Sequence, residues 1–236
     1  MPFCSKCGTE VSEMKMAIVL LALFSVAVFA KGKGRIYAES QEREFELTDK
    51  RDGKTYKTVK IGRQTWMAEN LNYNANGSKC YDNKPANCEK YGRLYDWNTA
   101  LKACPSGWHL PDDNEWTKLM EFLASNKKDV RYRKTNFEGV TLEYYENAGK
   151  YLKAKSGWNN NGNGTDEFGF SALPGGTGSS GGVFGFVGDI GLWWSASEYE
   201  YDSYYAYGRL MSYDRDGASW DYYDKSGLLS VRCVQD

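Results

Sequence analysis

The residues whose types and spacing bear on chemistry are six cysteines, a single histidine and a group of late aspartates. Cys4 and Cys7 form a Cys-x-x-Cys knuckle followed by Gly8, which is half of a zinc ribbon. Structural zinc takes four ligands, and the chain holds no second Cys-x-x-Cys. Cys4 and Cys7 would therefore hold zinc only with ligands from another chain. The other reading is a vestigial arm over residues 1–13, or an upstream start codon ahead of a true start at Met14. Four cysteines follow later: Cys80, Cys88, Cys104 and Cys233. Seven residues separate Cys80 from Cys88, a spacing compatible with a local disulfide. His109 stands between Trp108 and Leu110. As the only histidine it would have to serve any zinc or triad chemistry alone, so it reads as a buried, hydrogen-bonded structural residue. Asp214 and Asp216, with Asp221 and Asp224 beyond them, offer hard oxygen ligands to calcium. The same Asp-x-Asp-Gly run is also a hairpin turn, and a full twelve-residue calcium loop is missing. No carboxylate pair stands at glycosidase spacing, and Asp112 and Asp113 read as helix-cap residues. No cofactor is expected beyond calcium or zinc at these positions.

Binding chemistry has more material. Trp193 and Trp194 are adjacent on one apolar run. As neighbours on a strand they point to opposite faces, so one is expected in the core and the other under a loop, free to stack on a sugar ring. Tyr199, Tyr201, Tyr204, Tyr205 and Tyr207 precede Trp220, Tyr222 and Tyr223. Such side chains offer an apolar face with a polar tip, as binding surfaces do, and they also suit ordinary strands. The ligand-binding candidates are Trp193, Trp194, Tyr204, Tyr205, Trp220 and Tyr222.

Something must position these groups. The chain of 236 residues is 41% hydrophobic and 26% charged, enough for a globular core. A net charge of −1 provides no basic field for nucleic acid. Residues 16–30 are an apolar run, too short for a bilayer span of roughly 20 residues. Lys15 precedes it, Lys31 and Lys33 follow, and Val28-Phe29-Ala30 resembles a cleavage site. Residues 14–30 thus read as a signal peptide, or as a membrane anchor if uncleaved. Export is expected, to a secreted, periplasmic or cell-surface location, and export permits disulfides. Residues 31–47 are polar and read as a linker.

The domain over residues 48–236 opens with Asp52-Gly53, a turn signal, and an alternating strand over 56–61. A second strand starts at Trp66 and ends near Asn70. Cys80 and Cys88 fall on an Asn- and Gly-rich surface hairpin. A helix is expected over about 97–104, stopped by Pro105-Ser106-Gly107. Asp112 and Glu115 form an acidic capping box, after which Trp116, Leu119, Met120 and Leu123 mark one helical face. Residues 126–146 carry no clear period. A short third helix is expected within 147–155, and 157–191 is a long Gly-, Asn- and Ser-rich loop. Strands are expected at 192–196, 203–212, 218–223 and 228–234. A Cys104–Cys233 bridge would tie the first helix to the last strand.

The runs KRDGKTYKTVKIGRQTWMAENLNY, YGRLYDWNTALKACPSGWHLPDDNEW, GFSALPGG, LWWSAS and LLSVRCVQD resemble the Fibrobacter succinogenes major paralogous domain family, in order, over about residues 48–236. That family is similar to the C-type lectin-like fold and, more distantly, to the formylglycine-generating sulfatase-modifying enzymes. The resemblance implies an α+β, C-type lectin-like domain: two or three helices, a twisted antiparallel sheet and a long Gly-rich loop region. It also implies that Cys104, on the helix, pairs with Cys233. The lectin triplets Glu-Pro-Asn and Gln-Pro-Asp and the Trp-Asn-Asp motif are missing, so calcium-dependent sugar binding is not implied. The function expected is an exported, non-enzymatic binding or surface-structural module with a glycan or protein ligand. The alternatives are an enzyme related to the sulfatase-modifying class and a membrane-anchored scaffold, touching membrane only through residues 16–30.

Overall fold

The computed structural model describes residues 45–137 and 140–236. The knuckle at Cys4 and Cys7, the apolar run at 16–30 and most of the linker lie outside the described residues. Among the described residues no helix is long and apolar enough to cross a membrane.

The chain opens with β1 (Phe45–Thr48) and β2 (Thr55–Ile61), antiparallel neighbours. Gly53 turns between them at φ 76°, and its N–H donates to the Asp49 carbonyl at 2.7 Å. β3 (Gln64–Met67) follows. Instead of a surface hairpin, residues 80–91 fold into a 3-10 turn and α1 (Pro85–Tyr91), with Pro85 at the first turn where its missing N–H costs nothing. Then come β4 (Leu94–Tyr95) and α2 (Trp97–Ala100). Asp96 caps α2 by accepting from the Thr99 N–H at 3.1 Å. The helix expected over 97–104 is thus one turn, and Cys104 lies beyond its end.

After β5 (Trp108–His109), α3 (Asp113–Asn126) carries both halves of the capping box between Asp112 and Glu115. Its Trp116, Leu119, Met120 and Leu123 are buried as the period requires. β6 (Arg131–Phe137) and β7 (Val140–Glu146) pair antiparallel in the span that showed no period. α4 (Ala148–Leu152) is the third helix in its expected place. β8 (Thr177–Gly178) and β9 (Phe184–Gly185) make a small ribbon inside the Gly-rich segment. β10 (Ile190–Glu198), β11 (Tyr205–Ser212) and β12 (Ala218–Asp224) are the long strands. The last expected strand is two short ones, β13 (Leu229–Ser230) and β14 (Val234–Gln235).

The architecture is α+β. Two principal sheets run β1-β2-β3-β14-β5 and β4-β13-β10-β11-β12-β7-β6. The single antiparallel sheet expected is therefore divided, and β10 pairs parallel with β13. Between β13 and β14 the chain crosses from one sheet to the other, which places Val231, Arg232 and Cys233 in the interior. β10 is central and covered on both sides. Trp193 belongs to the core beneath α3 and α4, and Trp194 to the core around Tyr95, Trp97 and Leu229.

Candidate functional site

All four late cysteines are bonded, Cys80 to Cys88 and Cys104 to Cys233, with Cα separations of 4.9 and 5.9 Å. The two bridges indicate an oxidising, extracytoplasmic compartment. They also occupy every thiol among the described residues.

His109 is hydrogen-bonded as expected but not buried, its side chain being 42% exposed. β5 pairs with β14, which sets Nδ1 2.6 Å from Asp236 Oδ1, while Nε2 lies 2.9 Å from Glu115 Oε2. Partial burial pulls the imidazole pKa down, but the hydrogen bonds and negative charges of Asp236 and Glu115 outweigh it, and the net shift is upward. A raised folded pKa stabilises the fold fully below the unfolded value of about 6.5 and ceases to do so as pH rises through the folded value. The exposed geometry limits the gain to less than about 1 kcal/mol. Melting curves above about pH 6.5 should therefore show a small pH-dependent loss that His109→Gln removes. An identical profile in both proteins would contradict the clamp.

The late aspartates form no common ligand set among the described residues. Asp214 accepts from Ser212 Oγ, Asp221 from the Tyr222 N–H at 2.9 Å, and Asp224 from the Ser226 N–H at 2.8 Å. Asp216 accepts through its backbone carbonyl from the Lys150 N–H. Each serves its own turn or strand, and among the described residues no three His, Cys, Asp or Glu side chains form a metal-holding group. The calcium shell considered at Asp214 and Asp216 is not assembled.

The tryptophan pair also departs from expectation. Trp193 and Trp194 do face opposite ways, but both are 0% exposed because each face of β10 is covered. Their indole N–H groups donate inward, to Asn70 Oδ1 at 2.8 Å and to the Tyr95 carbonyl at 2.7 Å. Neither is open to a sugar ring. Trp220 is half-buried, with Tyr132 and Tyr145 beside it and the Arg209 guanidinium 5.4 Å from its ring centre. Tyr222 stacks on Tyr199, with ring centres 4.1 Å apart, and takes the edge of Tyr205 at 5.4 Å. The tyrosines most open to solvent are Tyr201, 80% exposed, and Tyr204, 77% exposed, both on the β10–β11 connection.

Tyr204 borders a cleft of about 550 Å³. Lys79 reaches it from the segment before α1, and Asp96 and Asn98 from the start of α2. Ser180 comes from the Gly-rich segment, Ser203 from beside Tyr204, Asp224 from the end of β12, and Lys225 and Ser226 from the turn after it. Lys225 closes one side: its Nζ lies 4.3 Å from the centre of the Trp97 ring and donates to Glu198 Oε1 and the Ser203 carbonyl. A larger groove of about 730 Å³ lies between the β6–β7 hairpin and β12. Its lining includes Leu142, Leu210 and Ile190, and two of its acids, Glu146 and Glu143, are paired with Arg133 and Lys134. Asp214, Asp216 and Trp220 line that groove, so the sequence candidates are split between two concavities.

The model of the Fibrobacter succinogenes major domain matches residues 59–235. The chain belongs to that family. No curated protein and no solved structure matches it.

The matched span of this Fibrobacter succinogenes major domain contains both disulfides and the whole lining of the cleft. Of the six ligand-binding candidates from sequence, Tyr204 alone lines that cleft. Tyr205 and Tyr222 pack into the neighbouring tyrosine group, and Trp193 and Trp194 are core. Lys79, Asn98, Ser180 and Ser226 carried no signal, because they are single polar residues in four segments far apart in sequence.

Proposed function

We propose that this domain is an exported, non-enzymatic binding module that takes a glycan in the cleft beside Tyr204, on a C-type lectin-like architecture. The meeting of the Gly-rich segment with an exposed tyrosine in a polar cleft carries this reading. A pyranose presents an apolar face and a rim of hydroxyls. An open phenol ring complements the first, and serine and amide groups complement the second. The lectin-like architecture is supported by the Cys104–Cys233 bridge, by the long segment between α4 and β10, and by the one sheet that holds both β1 and β14. The paired cysteines support a location outside the cytoplasm, whether secreted, periplasmic or at the cell surface.

The test is a binding screen of the oxidised full chain against soluble and insoluble polysaccharides, with and without a chelator. Tyr204→Ala is expected to weaken binding about tenfold, the effect of losing an aromatic anchor worth a little over 1 kcal/mol, at unchanged melting temperature. Chelation is expected to change nothing. Full binding by Tyr204→Ala would sink the assignment of the cleft. The apolar floor of the larger groove favours a second reading, a protein ligand there, and failure to bind any polysaccharide would shift weight to it. A thiol enzyme of the sulfatase-modifying class requires two reactive cysteines, and thiol titration of the native protein is the measurement that separates it from a binding module.

A further inference from the structure

We propose that the cleft beside Tyr204 selects a neutral saccharide over an acidic one. This rests on the glycan reading above and adds the chemical class of the ligand.

Four charged side chains line the cleft, Lys79 and Lys225 against Asp96 and Asp224. Two of the four are already committed. Asp96 accepts from both the N–H and the hydroxyl of Thr99, at 3.1 and 2.6 Å. Lys225 is neutralised by Glu198 at 2.9 Å. Counting Glu198, which pairs with Lys225 but does not itself line the cleft, three carboxylates stand against two ammonium groups. Asp224 stays ionised, since the N–H and hydroxyl of Ser226 hold its carboxyl below the ordinary range. An incoming uronate or sulfate group would give up water and meet this excess of negative charge, and Lys79 alone would be left to answer it. A neutral sugar meets no such repulsion. The groups left for it are Asn98, Ser180 and Ser203, which can both donate and accept, as vicinal sugar hydroxyls do. Charge here sets selectivity more than affinity.

The test uses affinity electrophoresis of the oxidised full chain in gels containing β-glucan, mannan, polygalacturonate or dextran sulfate. Wild type is expected to be retarded by a neutral polymer, with Tyr204→Ala weakening that binding about tenfold. The acidic polymers should bind at least about fivefold more weakly at low salt, a gap that narrows as salt screens the cleft. Asp224→Lys reverses the local charge and should admit polygalacturonate; Asp224→Asn is the milder variant, and melting curves confirm that both fold. Retardation by an acidic polymer as strong as that by the neutral ones, and weakened by Tyr204→Ala, would overturn the neutral assignment and leave the glycan reading standing. No retardation by any polymer, or retardation indifferent to Tyr204→Ala, would bring down both.

Discussion

Replacing Cys104 and Cys233 together by serine is expected to lower stability by about 5 kcal/mol, while the same change at Cys80 and Cys88 costs about half of that. The difference follows from loop length. One bridge closes a separation of 129 residues and the other a separation of 8. In the chain-entropy account the long bridge removes more freedom from the unfolded chain. The native environments act in the same direction. Cys233 is fully buried between β13 and β14, and Cys104 follows α2, so this bridge fastens the chain where it crosses between sheets. The Cys80–Cys88 bridge fastens α1 to the turn before it, where Arg93 already reaches both sulfurs at 3.6 and 3.5 Å. For a domain of this size the two double mutants should melt roughly 10–20 °C and 5–10 °C below the oxidised protein. Equal losses would show that strain or residual unfolded-state structure, not loop closure, governs these bridges.

Both bridges were foreshadowed by cysteine spacing and by the family resemblance, and the best-read element was α3. Its cap and its apolar period are local, so Asp112, Glu115, Trp116 and Leu119 announce it without reference to the rest of the chain. The β6–β7 hairpin was illegible for the opposite reason. Residues 131–136 are exposed on both faces, so no alternation of apolar and polar residues marks them. Period two correctly sent Trp193 and Trp194 to opposite sides, but whether a second layer covers each side is a tertiary fact. The same limit hid the break between β13 and β14, where the register sends one short strand to each sheet. The cleft was the least legible part. Its polar groups come from segments far apart in sequence, and only the exposed tyrosine at 204 belongs to a pattern.

Arg232 shows how far such hidden tertiary facts reach, and its replacement by methionine should cost about 3–5 kcal/mol. The side chain is 0% exposed, and the carboxylates of Asp166 and Glu69 act on it only through their charge, without an ion pair among the described residues. Burial drags its guanidinium pKa down to about 9, which still leaves it charged at neutral pH. The charge is held by a fork of oxygens. Nε and Nη2 donate to Asn70 Oδ1 at 3.2 and 2.7 Å, Nη1 to the Met67 carbonyl at 3.1 Å and to that of Phe170, and Nη2 also to that of Ser171 at 3.2 Å. Asn70 in turn receives the Trp193 indole N–H and donates to the Tyr91 carbonyl. Buried ion pairs are often replaced by apolar residues at little cost when both partners change together. That escape is closed here, because the partners are mostly backbone carbonyls and remain in place without their donor. Lysine should not rescue the variant, since one ammonium cannot span the planar fork. The consequence reaches the cleft: Phe170 and Ser171 lie in the Gly-rich segment that carries Ser180, so loosening them should weaken polysaccharide binding in whatever protein remains folded. Denaturant titration of Arg232→Met and Arg232→Lys, followed by binding below the transition, measures both effects. A methionine variant within about 1 kcal/mol of wild type would mean that the fork merely fills space.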